Sequence, residues 1–172
     1  AKWFGGKFGL PSVARHHPSF KDNVYWRGRV WPILNWLVWL GLKRQEAWAA
    51  ADDVVERGKL LFDPAWKART APENFNATHG AGLDQPDTDN FYSWTALLPH
   101  LESSRVVDID PWAGWVAVNA GPDAMLSPMR SPWGMVTAER AKGRFRLLDE
   151  NSRVIFETRK KGRQPITANY RG

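Results

Sequence analysis

Apolar and polar positions follow three different rhythms along this chain. From Val30 to Leu40 almost every position is apolar: Val30, Trp31, Ile33, Leu34, Trp36, Leu37, Val38, Trp39 and Leu40 leave no polar face. Such a run predicts a helix covered on all sides, with Pro32 in the first turn, where a missing N–H costs least, and Gly41 at the end. Between Lys43 and Phe62 the apolar residues Ala47, Trp48, Ala51, Val54, Val55, Gly58, Leu61 and Phe62 form one stripe. Arg44, Glu46, Asp53, Glu56, Arg57 and Lys59 fall mostly off it, so this helix is expected to be amphipathic and outward-lying. A buried helix linked closely to a one-sided one is an αα-hairpin, the repeating unit of layered helical barrels.

Residues 1 to 29 show no sustained period and read as an ordered loop ending at Tyr25-Trp26-Arg27-Gly28. A second loop, Asp63 to Asn90, is long for a compact domain, which points to function. Phe91 to Glu102 predicts another largely apolar helix, with Asp89 or Asn90 as N-cap and Pro99 kinking its later half. After Ser104 the spacing becomes that of short strands: Val106 to Ile109, Trp115 to Val118, Met135 to Thr137, Gly143 to Leu148 and Val154 to Thr158. The link Asp149-Glu150-Asn151-Ser152 reads as a hairpin turn.

Composition narrows the classes. At 172 residues with 43% hydrophobic content the chain is expected to be one soluble globular unit, large enough for folding to bury roughly 70% of the unfolded surface. The apolar run at Val30–Leu42 falls short of the ~20 residues a membrane span needs, so no membrane partner is expected. With no Cys there is neither a disulfide framework nor a thiolate ligand or nucleophile, which suits the cytosol without excluding export. The net charge of +6 is not spread evenly. Residues 140 to 172 hold ten Lys/Arg against three Asp/Glu, +7, which leaves −1 for the rest. Those cations alternate with apolar residues as on a half-buried sheet, an arrangement that favours a solvated strand face over a nucleic-acid surface.

Eleven Trp in such a length is the other anomaly. An indole stacks well on the C–H face of a pyranose and equally well fills a core. Trp31, Trp36, Trp39 and Trp48 lie in helical runs and are expected in the core; Trp26 and Trp94 are the stacking candidates. Alternating inner and outer helices would bring the loops before Val30, between Asp63 and Asn90, and at the start of the Phe91 run to one rim. That rim would gather Tyr25, Trp26, Arg27, Glu73, His79, Asp87, Asp89, Tyr92 and Trp94 around one funnel.

Cleaving a glycosidic bond with inversion takes two carboxyl groups, one to protonate the leaving oxygen and one to activate water on the opposite face. Glu73, after Pro72 and before Asn74 and Phe75, is the candidate base; its alternative is a surface or capping glutamate. Arg27 either grips sugar hydroxyls or pairs with an internal carboxylate. His79, beside Gly80, either binds a hydroxyl or braces its loop. Asp84, Asp87 and Asp89 lack the Gly and terminal Glu of an EF-hand, and His16-His17 lacks a carboxylate at ligand spacing, so no metal and no cofactor are expected.

Taken in order, Tyr25-Trp26-Arg27-Gly28 with Trp31 and Asn35, then Glu73-Asn74-Phe75-Asn76 with Thr78 and Gly80, then Phe91-Tyr92-Ser93-Trp94, resemble the C-terminal part of the mannosyl-oligosaccharide glucosidase family. That family's bacterial branch includes mannosylglycerate and glucosylglycerate hydrolases, and it is more distantly similar to trehalases. The resemblance covers roughly Trp3 to Glu102. It implies a mainly α fold, with a partial (α/α)6 barrel of six-hairpin type over residues 1–104; the strand spacing after Ser104 adds a small antiparallel β element over 105–172, more than the plain family is expected to carry. It also implies inverting hydrolysis of α-glucosides or α-mannosides without a metal. The family's general base falls on Glu73, its Trp-Arg pair on Trp26 and Arg27, and its aromatic-Ser-Trp segment on Tyr92, Ser93 and Trp94. Its general acid, an Asp, would lie upstream of these residues, and the opening at Ala1 without Met fits the last part of a larger enzyme. The expected partners are an oligosaccharide or small glycoside and the remainder of the barrel, from the same protein or another chain. A non-catalytic carbohydrate-binding module using the same aromatic cleft is the alternative.

Overall fold

The computed structural model describes residues 3–110 and 112–167. It separates into two compact units, residues 1–101 and 102–172. In the first, a 3-10 turn at Pro18–Asp22 precedes α1 (Pro32–Arg44) and α2 (Trp48–Lys67), and a second 3-10 turn, Ser93–Ala96, leads into α3 (Leu97–Ser104). Pro32 opens α1 as its first residue, and Lys43 and Arg44 lie in its last turn, where cations suit the helix dipole. α1 continues past Gly41 instead of ending there. It is also less covered than its composition suggests, since Leu37 and Val38 are exposed while Asn35, Trp39 and Lys43 are buried.

α2 begins later and runs longer than the stripe predicts, carrying Pro64 within its last turn. Its buried residues Ala51, Val54 and Val55 pack with Trp39 of α1 and with Leu101. Leu61 and Ala65, further along α2, join Val30, Phe75, Ala77 and Leu98 in a second cluster. Gly58 faces α3, and a Cβ there would lie 3.4 Å from the Leu98 side chain, an ordinary packing distance.

The second unit is built of strands. β1 (Val107–Asp110), β2 (Gly114–Asn119) and β7 (Gly162–Pro165) form one antiparallel sheet in the order β1-β2-β7. β3 (Ala124–Ser131), β4 (Gly134–Ala141), β5 (Arg144–Asp149) and β6 (Val154–Thr158) form a four-stranded meander. Both sheets contribute to one core of Val107, Ala117, Val136, Ala138, Phe145 and Leu147. The β5–β6 turn is closed by Asp149, whose side chain accepts from the N–H groups of Asn151 at 2.9 Å and Arg153 at 2.8 Å. Four of the arginines of this region have partners within the unit. Arg140 is buried and donates to the carbonyls of Arg105, Val118 and Pro122. Arg146 pairs with Glu139, Arg163 with Asp110, and Arg144 with Glu157 at 3.7 Å.

The expected mainly α architecture, a partial (α/α)6 barrel, is overturned. The described residues make three α-helices and two antiparallel sheets of seven strands, about 30% helix against 29% strand. The difference arises at three places. The run from Phe91 to Glu102 yields only a 3-10 turn and a two-turn helix, because Tyr92 is held in extended backbone by its bond to Ala71. β3, a sheet edge interrupted by Pro128 at a register shift, and β7, the polar Gly162-Arg163-Gln164-Pro165, carry too little apolar alternation to be read as strands. No described helix is long and apolar enough to cross a membrane.

Candidate active site

The site lies in the first unit, on a small backbone framework. Val30 and Phe75 exchange both main-chain hydrogen bonds, at 2.8 and 2.9 Å, and Val30 also bridges Pro11. On its other side the segment 71–75 meets 89–92. Ala71 N–H donates to Asn90 O, Glu73 N–H to Asp89 O, and Tyr92 N–H to Ala71 O. Thr95 closes the end by donating its hydroxyl to Pro72 O. Glu73 is therefore carried on a short bend between two bridged residues, Ala71 and Phe75, not on a free loop.

The aromatic residues come from the flanks of that framework. Val24 and Arg27 exchange backbone hydrogen bonds, making Tyr25-Trp26 a tight turn with Tyr25 at a φ of 46°. Ser12 pins the turn, its hydroxyl donating to Trp26 O at 2.8 Å and accepting from Gly28 N–H at 3.1 Å. Gly28 has a φ of 105°, and a Cβ there would meet Phe20 O at 2.5 Å, so the position takes only glycine without strain. The turn lays Trp26 flat on Trp31, with centroids 3.8 Å apart. Trp94 stands against Trp31 at 5.8 Å, and Tyr92 against Trp94 at 5.0 Å. Trp31 is wholly buried and donates its indole N–H to Tyr25 O, whereas Trp26 keeps 39% of its surface exposed.

A polar network runs from Glu73 in the opposite direction. Asn74 donates Nδ2 to Glu73 Oε2 at 3.4 Å. Arg29, with no exposed surface, donates Nε to Asn74 Oδ1 and Nη2 to Asp84 Oδ1 at 2.7 Å. Asp84 accepts from Asn76 at 2.8 Å and lies 3.6 Å from His79 Nε2. Glu73 itself is only 8% exposed. Burial, with a further push from the Asp89 charge, raises its carboxyl above the usual range, and the Asn74 hydrogen bond opposes that rise. Asp84 titrates below its usual value despite burial, because Arg29 and Asn76 favour its charged form.

Of the residues expected around one funnel, the structure ties Tyr25, Trp26, Tyr92 and Trp94 into one ring cluster and joins Glu73 to His79 through Asn74, Arg29 and Asp84. Arg27 goes elsewhere. Its side chain is 60% exposed and pairs with Asp22 at 3.4 Å. His79 also braces its loop, accepting from Ala81 N–H at 3.4 Å. Asp89 acts on Glu73 through its carbonyl and its field. The residues not anticipated are Arg29, Asn74 and Asn76, together with Trp31 as a member of the ring cluster. Arg29 was detectable in principle, since a guanidinium directly before a fully apolar run has to be paired. Among the described residues no group of three or more His, Cys, Asp or Glu is placed to hold a metal.

A cleft of about 1000 Å³ opens against this framework, lined by Phe62, Trp66, Arg69, Phe91, Tyr92 and Pro99 among others. Ala71, Tyr92 and Thr95 of the framework line it too, but Glu73, Trp26 and Trp94 do not.

Residues 1–95, which contain every residue of this network and ring cluster, match the mannosylglycerate hydrolase MGH1-like glycoside hydrolase domain. The chain belongs to this glycoside hydrolase family. Over 37 residues, 22% of the chain, it is 51% identical to mannosylglycerate hydrolase MGH1 of Selaginella moellendorffii. Mannosylglycerate hydrolase MGH2 of the same plant matches with the same identity and extent. Those matches span 8% of each relative's length. No solved structure matches the chain.

Proposed function

We propose that this chain carries the water-activating part of an inverting α-glycosidase, with Glu73 as the general base. The observation that supports this reading best is the setting of Glu73: a nearly buried carboxylate, made more basic by burial and Asp89, on a segment pinned between the elements that bear Trp31 and Tyr92. The substrate is an α-mannoside or α-glucoside, mannosylglycerate among them, by the names of the relatives. Trp26, Tyr92 and Trp94 offer faces to a pyranose ring, and Arg27, whose guanidinium is largely exposed, reaches hydroxyls or an anionic aglycone. His79 serves as a hydroxyl contact at the far end of the network.

In this reaction the oxygen of water bonds to the anomeric carbon while its proton passes to a Glu73 carboxylate oxygen. The glycosidic C–O bond breaks on the opposite face, and the leaving oxygen takes its proton from a carboxylic acid supplied by sequence beyond these 172 residues. Glu73→Gln in the complete enzyme is expected to lower kcat/KM on mannosylglycerate by about 10²–10⁴. The first anomer released, followed by NMR, is expected to have inverted configuration. Unchanged turnover by the Gln variant, or a retained anomer, would refute the assignment.

A further inference from the structure

We propose that Arg29 is the positioning residue of the base, holding the Asn74 carboxamide so that its Nδ2 end is presented to the Glu73 carboxylate. The inference rests on Glu73 being the general base, and it goes beyond that reading by naming what aims it. A free carboxamide can present either of its two ends to a neighbour. Here the Oδ1 end is engaged by Arg29 Nε, an N–H that only donates, so the end left for Glu73 is the donor end. The planar fork of the same guanidinium fixes its orientation, because Nη2 is held by Asp84 Oδ1 at 2.7 Å. Asp84 is in turn steadied by Asn76 Nδ2 at 2.8 Å, and it also supplies the negative charge a buried cation requires. Arg29 has no exposed surface, so it acts on the reaction through Asn74 and not by touching sugar.

The charges around Glu73 give the direction of the effect. Asp89 faces it from the paired segment and raises its titration; Asn74 lowers it. Arg29 and Asp84 lie one and two links further away, with His79 behind Asp84. Losing the Arg29–Asn74 contact frees the carboxamide to turn its oxygen towards Glu73, and the carboxyl then titrates higher.

The test is the pH dependence of kcat/KM for mannosylglycerate in the complete enzyme, for the parent and the variants Arg29→Met, Arg29→Lys, Asn74→Ala, Arg29→Met/Asn74→Ala and Glu73→Gln. Arg29→Met and Asn74→Ala are each expected to move the acid limb upward by about 0.5–1 pH unit, the worth of one long hydrogen bond to the carboxylate. For both, kcat should fall about 10–100-fold with KM nearly unchanged, as for a misplaced group that does not bind substrate. The double variant should move the limb no further than Arg29→Met alone, since both act on one link. Arg29→Lys keeps the charge for Asp84 but gives up the fork, so its limb should move too; it decides the question if Arg29→Met does not fold. An acid limb left at the parent value in the Arg29 variants, with Glu73→Gln inactive, overturns the role of Arg29 and leaves the base in place. A fully active Glu73→Gln removes the base itself.

Discussion

Trp26 lies flat on Trp31, ring centroids 3.8 Å apart and planes within 9°, yet only Trp26 reaches solvent. The buried ring serves as a floor and the half-exposed ring as the surface above it. The two should therefore respond differently to truncation. Trp31→Ala is expected to cost about 3–5 kcal/mol in urea unfolding, the usual penalty for emptying a buried indole. Trp26→Ala should cost about 1 kcal/mol of stability, the worth of one aromatic pair, and raise KM for the glycoside about tenfold. Equal losses of stability from the two substitutions would contradict this division.

Glu73 should also show a trade between stability and activity. Its folded carboxyl titrates above the usual 4.5, so the folded state binds more protons than the unfolded chain between 4.5 and the raised value. Its contribution is fully present below pH 4.5 and is lost as pH rises through that window. Glu73→Gln removes the buried charge, so the variant should melt higher than the parent at pH 7, with the gap closing towards pH 4. A melting series at fixed salt across that range checks it; a gap that widens on acidification has the wrong sign.

How much of this was legible depended on whether one element could be judged alone. The α1–α2 hairpin could be, since an all-apolar run followed by a single stripe has one economical packing. Val154–Thr158 was legible to the residue, and Asp149 as a turn former, because both are local chemistry. The architecture was not. Whether Phe91–Tyr92 coils or extends is decided by the distant Ala71, and β7 exists because β2 offers it an edge. At the site, Glu73 and the aromatic residues stood out by type and order. The partners of Arg29 were hidden, because Asn74 and Asp84 are 45 and 55 positions away and spacing carries no trace of such a pair. Arg27, next to Trp26, stood out by its place in the motif, while its pairing with Asp22 on the surface did not.

Gly28 is the hinge of the Trp26 turn, and its replacement should be read in binding as well as in stability. With a φ of 105° and a Cβ that would sit 2.5 Å from Phe20 O, Gly28→Ala is expected to cost about 1–3 kcal/mol. Relief of the clash must displace either the Pro18–Asp22 turn or the backbone that Ser12 pins, so KM should rise along with the loss of stability. An alanine variant with parental melting temperature and KM would show that the close approach is not needed.

The second unit offers a test in acid. Asp110 ends β1, and its carboxylate accepts the N–H groups of Trp112 at 2.9 Å and Ala113 at 3.1 Å while also pairing with Arg163 on β7. Because β1 and β7 flank β2 on opposite sides, this one carboxylate ties together both edges of the sheet and its first turn. The Trp112 N–H first, then Arg163 and the Ala113 N–H, hold the carboxyl at about 2, against an ordinary 3.8. A lowered folded value stabilises above pH 3.8, and that stabilisation is lost as pH falls from 3.8 through about 2. Asp110→Ala should therefore cost about 1–2 kcal/mol at pH 7, from the lost charge-assisted hydrogen bonds, and little at pH 2. Parent and variant unfolding curves should converge over that interval; a difference that persists at pH 2 would mean that the side chain acts by packing and not by its charge.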